Sequence, residues 1–367
     1  AGGSSSSSTE LWGAGDGSKG QLGPLYRTAG ITTTFQPLDL RLEEYGLDGY
    51  ATKRVAACWE TSYVVMSKGG HRDVVLSMGG NDYGDLGVGD KVTKNTGALH
   101  LVDFTPIIGS CQNMEIVDIC AGPHHVAVLL TAIGDDGARC QHLAGWGASR
   151  HGQLGLLPSS SGRPVAFAPT PREIQLDDMV HDPAILVALG NQHSLFLHAS
   201  GRLSALGSDK KGQTRGLTSV TDIQQVGCTW NGSYILSNSP EAPLMSVGSH
   251  TKGQLGRRID DAPNSLAGPR PVEFPPPFHG RSLIRFACGS EHVLALTSSG
   301  PSNEVWGWGW NEHGNLGIGS LEDVHIPVKV WPPSSWDVID TFAVGVWSGC
   351  GTSFIAVSEK VGSGDDP

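Results

Sequence analysis

Three histidines, His125, His193 and His292, recur at one position in similar surroundings: "GPHHVAV", "GNQHSLF" and "GSEHVLA". Imidazole is a common metal ligand and a general base near neutral pH, so a shared position raises both chemistries. Neither is expected. The three belong to different repeats of the chain, too far apart to share one ion. An imidazole hydrogen-bonded to the tight turn of its own repeat accounts for the position. Cys120, Cys228 and Cys288 fall near the end of the strand before that turn, and no two of the seven cysteines have CxxC spacing. Small buried thiols fit better than a zinc site, and an odd number of free thiols fits a reducing compartment. There is no Ser-His-Asp set, no HExxH and no paired carboxylates. The GxGxxG-like strings run into loops, where a dinucleotide fingerprint needs a helix. The chain is expected to be no enzyme and to hold no cofactor and no metal.

The same turn carries a different signal. The residue after its first position is Trp59 in one copy and Trp230 in another, with Trp347 at or next to it in the last copy. A turn between short strands is exposed, and an exposed indole there has no role in core packing. Aromatic side chains on such a face are favoured interface anchors. Trp59, Glu60, Trp230, Asn231 and Trp347 are therefore the candidate partner-binding residues.

The elements that must position them repeat along the chain. "LWGAGDGSKGQLG", "LSMGGNDYGDLGVG", "AGWGASRHGQLG", "SALGSDKKGQTRG", "MSVGSHTKGQLG" and "VWGWGWNEHGNLGIG" are six versions of one motif. A second motif, clearest in "IRFACGSEHVLALTSSG", lies between them, again six times. Each unit reads as strand A, a tight turn, strand B, a hairpin, strand C ending in Gly, a polar loop, and a short strand D with Pro nearby. Four short strands with glycine punctuation make a propeller blade, and one such sheet needs neighbours to cover its faces. Composition agrees: 51 Gly, 22 Pro and only 17% charged residues. The chain opens on a C-type strand and ends on A- and B-type strands. The expectation is all-β: a closed β-propeller of six four-stranded blades, seven being the alternative. N-terminal strands pairing with C-terminal strands would close the ring and remove its edges. A single propeller is placed at 11–358, with flexible tails at 1–10 and 359–367. In the last motif, Trp308 takes the large apolar slot of Trp12, Met78, Trp146, Leu206 and Val247 and is assigned to the core between blades. Trp306 and Trp310 are surplus aromatics.

Net charge is −11. That balance excludes the basic stripe a nucleic-acid binder needs to displace phosphate counterions. No apolar run is long enough to span a bilayer. No direct nucleic acid or membrane partner is expected.

On these motifs the chain resembles the regulator of chromosome condensation propeller family from about Leu11 to Val357. The paired GxxH and WGxNxxGQLG-like motifs carry the resemblance, and six copies depart from the seven blades of its best-known members. Trp306, Trp308, His313 and Gly314 are similar to the tryptophan-rich last repeat of the branch that contains the fungal alpha-tubulin suppressor. That resemblance implies a scaffold paired with a small CSL-type zinc or iron protein as a heterodimer. It further implies a link to Elongator-dependent modification of the tRNA wobble uridine and to diphthamide synthesis, in the cytoplasm and also the nucleus. The family includes guanine-nucleotide exchange factors for small GTPases, which is the alternative function. It also includes ultraviolet photoreceptors, whose dimer-face tryptophans occupy the same turn beside Arg. Here the neighbours are Glu60 and Asn231, which fits that reading poorly.

Overall fold

A computed structural model describes residues 10–26, 30–91, 97–109, 111, 113–155, 165–239, 243–259, 267–276, 281–299, 302–333 and 341–359. The tail segments 1–9 and 360–367 lie outside the described residues. The chain forms two compact units, 1–185 and 186–367.

Unit 1 begins with a two-stranded sheet, β1 (Trp12–Asp16) and β2 (Ile31–Pro37). Two four-stranded antiparallel meanders follow. The first is β3 (Ala51–Ala57), β4 (Thr61–Ser67), β5 (Val74–Gly79) and β6 (His100–Leu101). The second is β7 (Asn113–Ala121), β8 (His125–Ile133), β9 (Arg139–Ala148) and β10 (Phe167–Glu173). The second strand of each meander has sheet neighbours on both edges and packing on both faces. It is therefore a nearly continuous apolar run, "HVAVLLTAI" in β8, buried along almost its whole length. The first strand alternates between buried and exposed, as in β7. Tyr63, Ile116, Val128 and Trp146 form the core between the two meanders, with the Tyr63 and Trp146 rings edge to face at 5.7 Å.

The boundary with unit 2 falls inside β11 (Ala184–Leu189), which pairs with β12 (His193–His198), itself paired with β13 (Leu203–Gly207). The fourth strand expected in this copy is not formed; a 3-10 turn at Leu217–Ser219 takes its place. This copy precedes the shortest spacing in the chain, 41 residues between Gly212 and Gly253, which leaves little chain for it. Two full meanders follow: β14 (Ile223–Thr229), β15 (Gly232–Ser237), β16 (Leu244–Gly248), β17 (Arg270–Pro271), then β18 (Ser282–Cys288), β19 (His292–Ser299), β20 (Ser302–Gly309), β21 (Val324–Trp331). The unit ends in the hairpin β22 (Thr341–Ser348) and β23 (Ser353–Glu359). The fold is all-β, as expected, with propeller-type sheets. Among the described residues, the strand pairs do not include the expected closure of N-terminal on C-terminal strands. No helix among the described residues is long and apolar enough to cross a membrane, which says nothing of a β-barrel.

The glycine that ends each third strand has a steric cause. Gly79, Gly147, Gly207, Gly248 and Gly309 all have φ between 94° and 123°. A Cβ at these positions would lie 2.2–2.4 Å from the backbone carbonyl oxygen of Glu60, His124, Gln192, Asn231 or Glu291. That is the second residue of the A–B hairpin tip in the same sheet. The following residue donates its N–H to the same carbonyl at 2.7–2.9 Å. Only glycine allows this approach, and the approach locks the tip.

Candidate functional site: the hairpin tips

All six A–B turns are the same two-residue hairpin. Their tips are 59–60, 123–124, 191–192, 230–231, 290–291 and 350–351, each closed by a flanking backbone bond or strand pair. Neighbouring tips are joined through the backbone. In unit 1, Trp59 N–H donates to Pro123 O at 3.2 Å. In unit 2, Asn191 donates to Trp230, Trp230 to Ser290 and Ser290 to Cys350, at 2.9, 2.7 and 3.3 Å. Within each unit the tips are therefore held together as a rigid row, as a binding platform requires.

On this row Trp59 is 53% exposed. Glu60 beside it is half-buried, 3.7 Å from the Lys19 ammonium. Trp230 occupies the same position in its own tip and is half-buried. Asn231 donates its side-chain amide to Glu291 Oε1 at 2.8 Å, and Gln254 donates to Glu291 Oε2 at 2.8 Å. Burial raises the Glu291 carboxyl above its ordinary value. Four of the five predicted residues thus stand on hairpin tips.

Trp347 does not. It lies within β22, paired with Phe354, three residues before the tip residue Cys350. The turn of this copy has the same length as the others, because Gly349 N–H closes on Thr352 O as in the other copies. Trp347 instead fills the slot that Ala56, Ala188 and Ala287 fill elsewhere. Its ring is 48% exposed, with the Arg285 guanidinium carbon 5.5 Å from its centroid.

The histidines also differ from expectation. His125, His193 and His292 are fully buried. His193 and His292 do not hydrogen-bond the turn of their own sheet, since their Nδ1 atoms have no partner. His193 Nε2 meets Ser233 Oγ at 3.1 Å and His292 Nε2 meets Ser353 Oγ at 3.1 Å, each on the second strand of the next sheet. Burial pushes both imidazoles down to about 4, so they are neutral bridges between sheets near neutral pH. The recurrence of serine one step beyond the histidine position, at Ser62, Ser194, Ser233 and Ser353, was the available signal. Cys120 and Cys288 are pushed far up by burial, and Cys58 to about 11, which removes thiolate chemistry there. Among the described residues no three His, Cys, Asp or Glu side chains gather as a metal site would.

One residue of this face escaped the sequence reading. The second position of the GxLG-like turn is Gln21, Gln153, Gln213, Gln254 or Asn315 in five copies and Asp85 in the sixth. The glutamine oxygens accept from the N–H two residues earlier, at 2.7–3.0 Å. Asp85 Oδ2 does the same from Tyr83 at 2.9 Å. Where glutamine offers an amide donor, Asp85 has a second oxygen. Asp85 is 4% exposed, and its Oδ1 accepts no hydrogen bond. The nearest cationic candidate is His124 Nδ1, 4.0 Å away, too far to bond. Burial raises Asp85 to about 7 against the lowering by the Tyr83 N–H, and burial lowers His124. Both shifts run toward neutral forms, so desolvation outweighs ion pairing at this contact. The Tyr83 ring covers His124 at 4.3 Å between centroids.

The tryptophan-rich copy is structural. Trp308 is fully buried and donates Nε1–H to Gln254 O at 2.8 Å, while Tyr234 OH donates to the same oxygen at 2.7 Å. Trp146 and Tyr63 repeat this on Asp85 O at 2.8 and 2.7 Å. Trp306 is 7% exposed, edge to face with Phe274 at 6.0 Å. Trp310 is half-buried, with His313 at 4.9 Å.

A family model, "Regulator of chromosome condensation (RCC1) repeat", matches residues 143–197 and 302–353. The secretion-regulating guanine nucleotide exchange factor of Mus musculus is 26% identical over 78% of the chain and 62% of its own length. The ultraviolet-B receptor UVR8 of Arabidopsis thaliana is 28% identical over 80% of the chain and 61% of its own length. The chain thus spans about three fifths of the length of these relatives. The crystal structure of human WBSCR16 superposes with a TM-score of 0.68 at 24% identity, covering 95% of this chain and 81% of that one. Residues 143–197 and 302–353 thus match the RCC1 repeat, and the fold is shared with human WBSCR16 and with yeast RCC1.

Proposed function

We propose that this chain is a protein-docking propeller that acts by binding, with no covalent chemistry of its own, and that its partner lands on the hairpin tips around Trp59. The observation that carries this is an indole more than half exposed on a backbone-locked tip. The best-supported partner class is a small GTPase, with nucleotide exchange as the outcome. The support is a relative named as an exchange factor, at 26% identity. In a nucleotide-release assay against a panel of small GTPases, one member should release guanine nucleotide faster with this chain. Trp59→Ala should slow that release at least tenfold while leaving the melting temperature unchanged. Equal rates with and without Trp59 would move the docking face elsewhere.

The narrower scaffold reading, a heterodimer with a CSL-type metalloprotein linked to Elongator and diphthamide synthesis, rests on the tryptophan-rich copy alone. Trp306 and Trp308 are buried, so they cannot themselves touch that partner. Co-elution of the two purified proteins at micromolar concentration is the result this reading requires.

We also infer six blades, with β1–β2 completing the sheet begun by β22–β23. The five larger sheets and two hairpins support that count. The outward amides of Phe354–Glu359 should then exchange hydrogen slowly. Exchange at the rate of an open strand edge would contradict closure.

A further inference from the structure

The corner of unit 1 that surrounds Trp59 joins three things that are usually found apart. It has exposed aromatic faces, Trp59 at 53% and Tyr83 at 42%. It has carboxylates: half-buried Glu60, exposed Asp82 and buried Asp85. And it has a carboxyl oxygen, Asp85 Oδ1, that is buried and accepts no hydrogen bond. Continuity is fixed by contacts. The Trp59–Glu60 tip bonds to Pro123, His124 follows Pro123, Tyr83 stacks on His124, and Asp85 Oδ1 faces His124 from below at 4.0 Å.

We propose that this corner receives a basic side chain, a lysine or arginine borne by a protein partner, against the Trp59 and Tyr83 rings and above the Glu60, Asp82 and Asp85 carboxylates. This deepens the docking reading above and rests on it. A cation over an aromatic face gains from the ring quadrupole, and the gain grows when carboxylates sit behind it. Unit 2 shows the pairing within the chain, Arg285 over Trp347, and unit 1 shows Lys91 over Phe167 at 3.6 Å. A buried carboxyl that lacks a donor is costly when ionised. An incoming cation relieves that cost, so Asp85 gives the corner a preference for positive charge that its exposed neighbours alone would not.

Binding should then depend on pH. The charged and titratable groups around Asp85 are Glu60, Asp82, His124, the Lys19 ammonium beside Glu60, the Tyr63 and Tyr83 phenols, and the Cys58 thiol. Burial keeps Cys58 and Tyr63 neutral, and His124 is shifted toward its neutral form. With Asp85 raised to about 7, the corner gains negative charge between pH 6 and 8. Affinity for a cation should rise over that interval.

The test uses the full chain and a fluorescein-labelled (Arg-Gly)4 peptide, read by fluorescence anisotropy in 0.15 M salt at pH 6 and pH 8, with (Glu-Gly)4 as the opposite-charge control. The expected result is saturable binding of the arginine peptide, at least threefold tighter at pH 8. Trp59→Ala and Glu60→Gln should each weaken it about tenfold. Asp48→Asn, which removes one acidic charge beyond the opposite end of β3, should change it less than twofold, and thermal melts should show all three variants folded. No saturable binding, or the same loss in Asp48→Asn as in the other two, overturns the proposal. If Trp59→Ala impairs the GTPase assay but wild type ignores the peptide, docking stands and the basic-side-chain inference falls.

Discussion

Replacing Trp308 by alanine should lower the unfolding free energy by about 3–5 kcal/mol, the largest loss expected from any single exchange in unit 2. The indole is fully buried among Tyr234, Phe286 and Val293 and edge to face with Phe274 at 5.9 Å. Its removal leaves a cavity walled by strands that cannot close on it, because both flanking sheets are fixed by their own ladders. It also strips one of two donors from Gln254 O. Trp308→Phe keeps most of the volume and loses the hydrogen bond, so it should cost about 1–2 kcal/mol. Urea denaturation followed by far-ultraviolet circular dichroism measures both. Trp59→Ala, at a 53% exposed tip, should stay within about 0.5 kcal/mol of wild type in the same experiment. A Trp308→Ala loss below about 1 kcal/mol would show that the slot collapses readily and is no keystone of the sheet stack.

Asp85→Asn should stabilise the protein at pH 8 and do little at pH 4. The folded carboxyl is raised to about 7 from an ordinary value of 3.8. Between those values the folded chain holds a proton that the unfolded chain has released. Stability from this group is therefore fully present below pH 4 and is lost as pH rises through 7. Three pH units at about 1.4 kcal/mol each set a ceiling of about 4 kcal/mol, and water penetration at this near-surface site brings the expected gain to about 2–3 kcal/mol. Asparagine already serves at this position in another copy, as Asn315, so the backbone tolerates it. Chemical denaturation of both proteins from pH 4 to pH 8 is the measurement. Parallel stability profiles would mean that Asp85 is ionised throughout and solvated by a route other than its neighbours.

The fold was legible because its physics is written locally and six times over. Strand ends, the obligatory glycine and the GxLG-like turns each repeat with a steric or hydrogen-bonding cause inside one sheet. The tip position of Trp59 and Trp230 followed from the same alignment. What the alignment could not show is contact between copies. The histidine position is plain in sequence, yet its partner is a serine some 40 to 61 residues on, in the next sheet. Alignment of the copies puts Trp347 at or next to a tip; backbone pairing puts the hairpin at Gly349–Thr352 and leaves the indole on the strand. Asp85 reads as a mild exchange for glutamine. Only burial reveals that an oxygen stands where an amide donor should be.

The shared carbonyl acceptors have a consequence for how such a chain can change by recombination. Gln254 O takes a phenol from its own sheet and an indole from the following one. Asp85 O does the same with Tyr63 and Trp146. Where the second strand carries Leu195 in place of tyrosine, the next sheet offers Val247 in place of tryptophan. In these three joints the partners match across the gap, aromatic with aromatic and aliphatic with aliphatic. A cut made between sheets would separate a tyrosine from its tryptophan. A cut made between the second and third strands of either sheet would separate them too, because each pair runs from the second strand of one sheet to the third strand of the next. The smallest segment that can be moved with such a pair whole is therefore two adjacent sheets together, not one sheet.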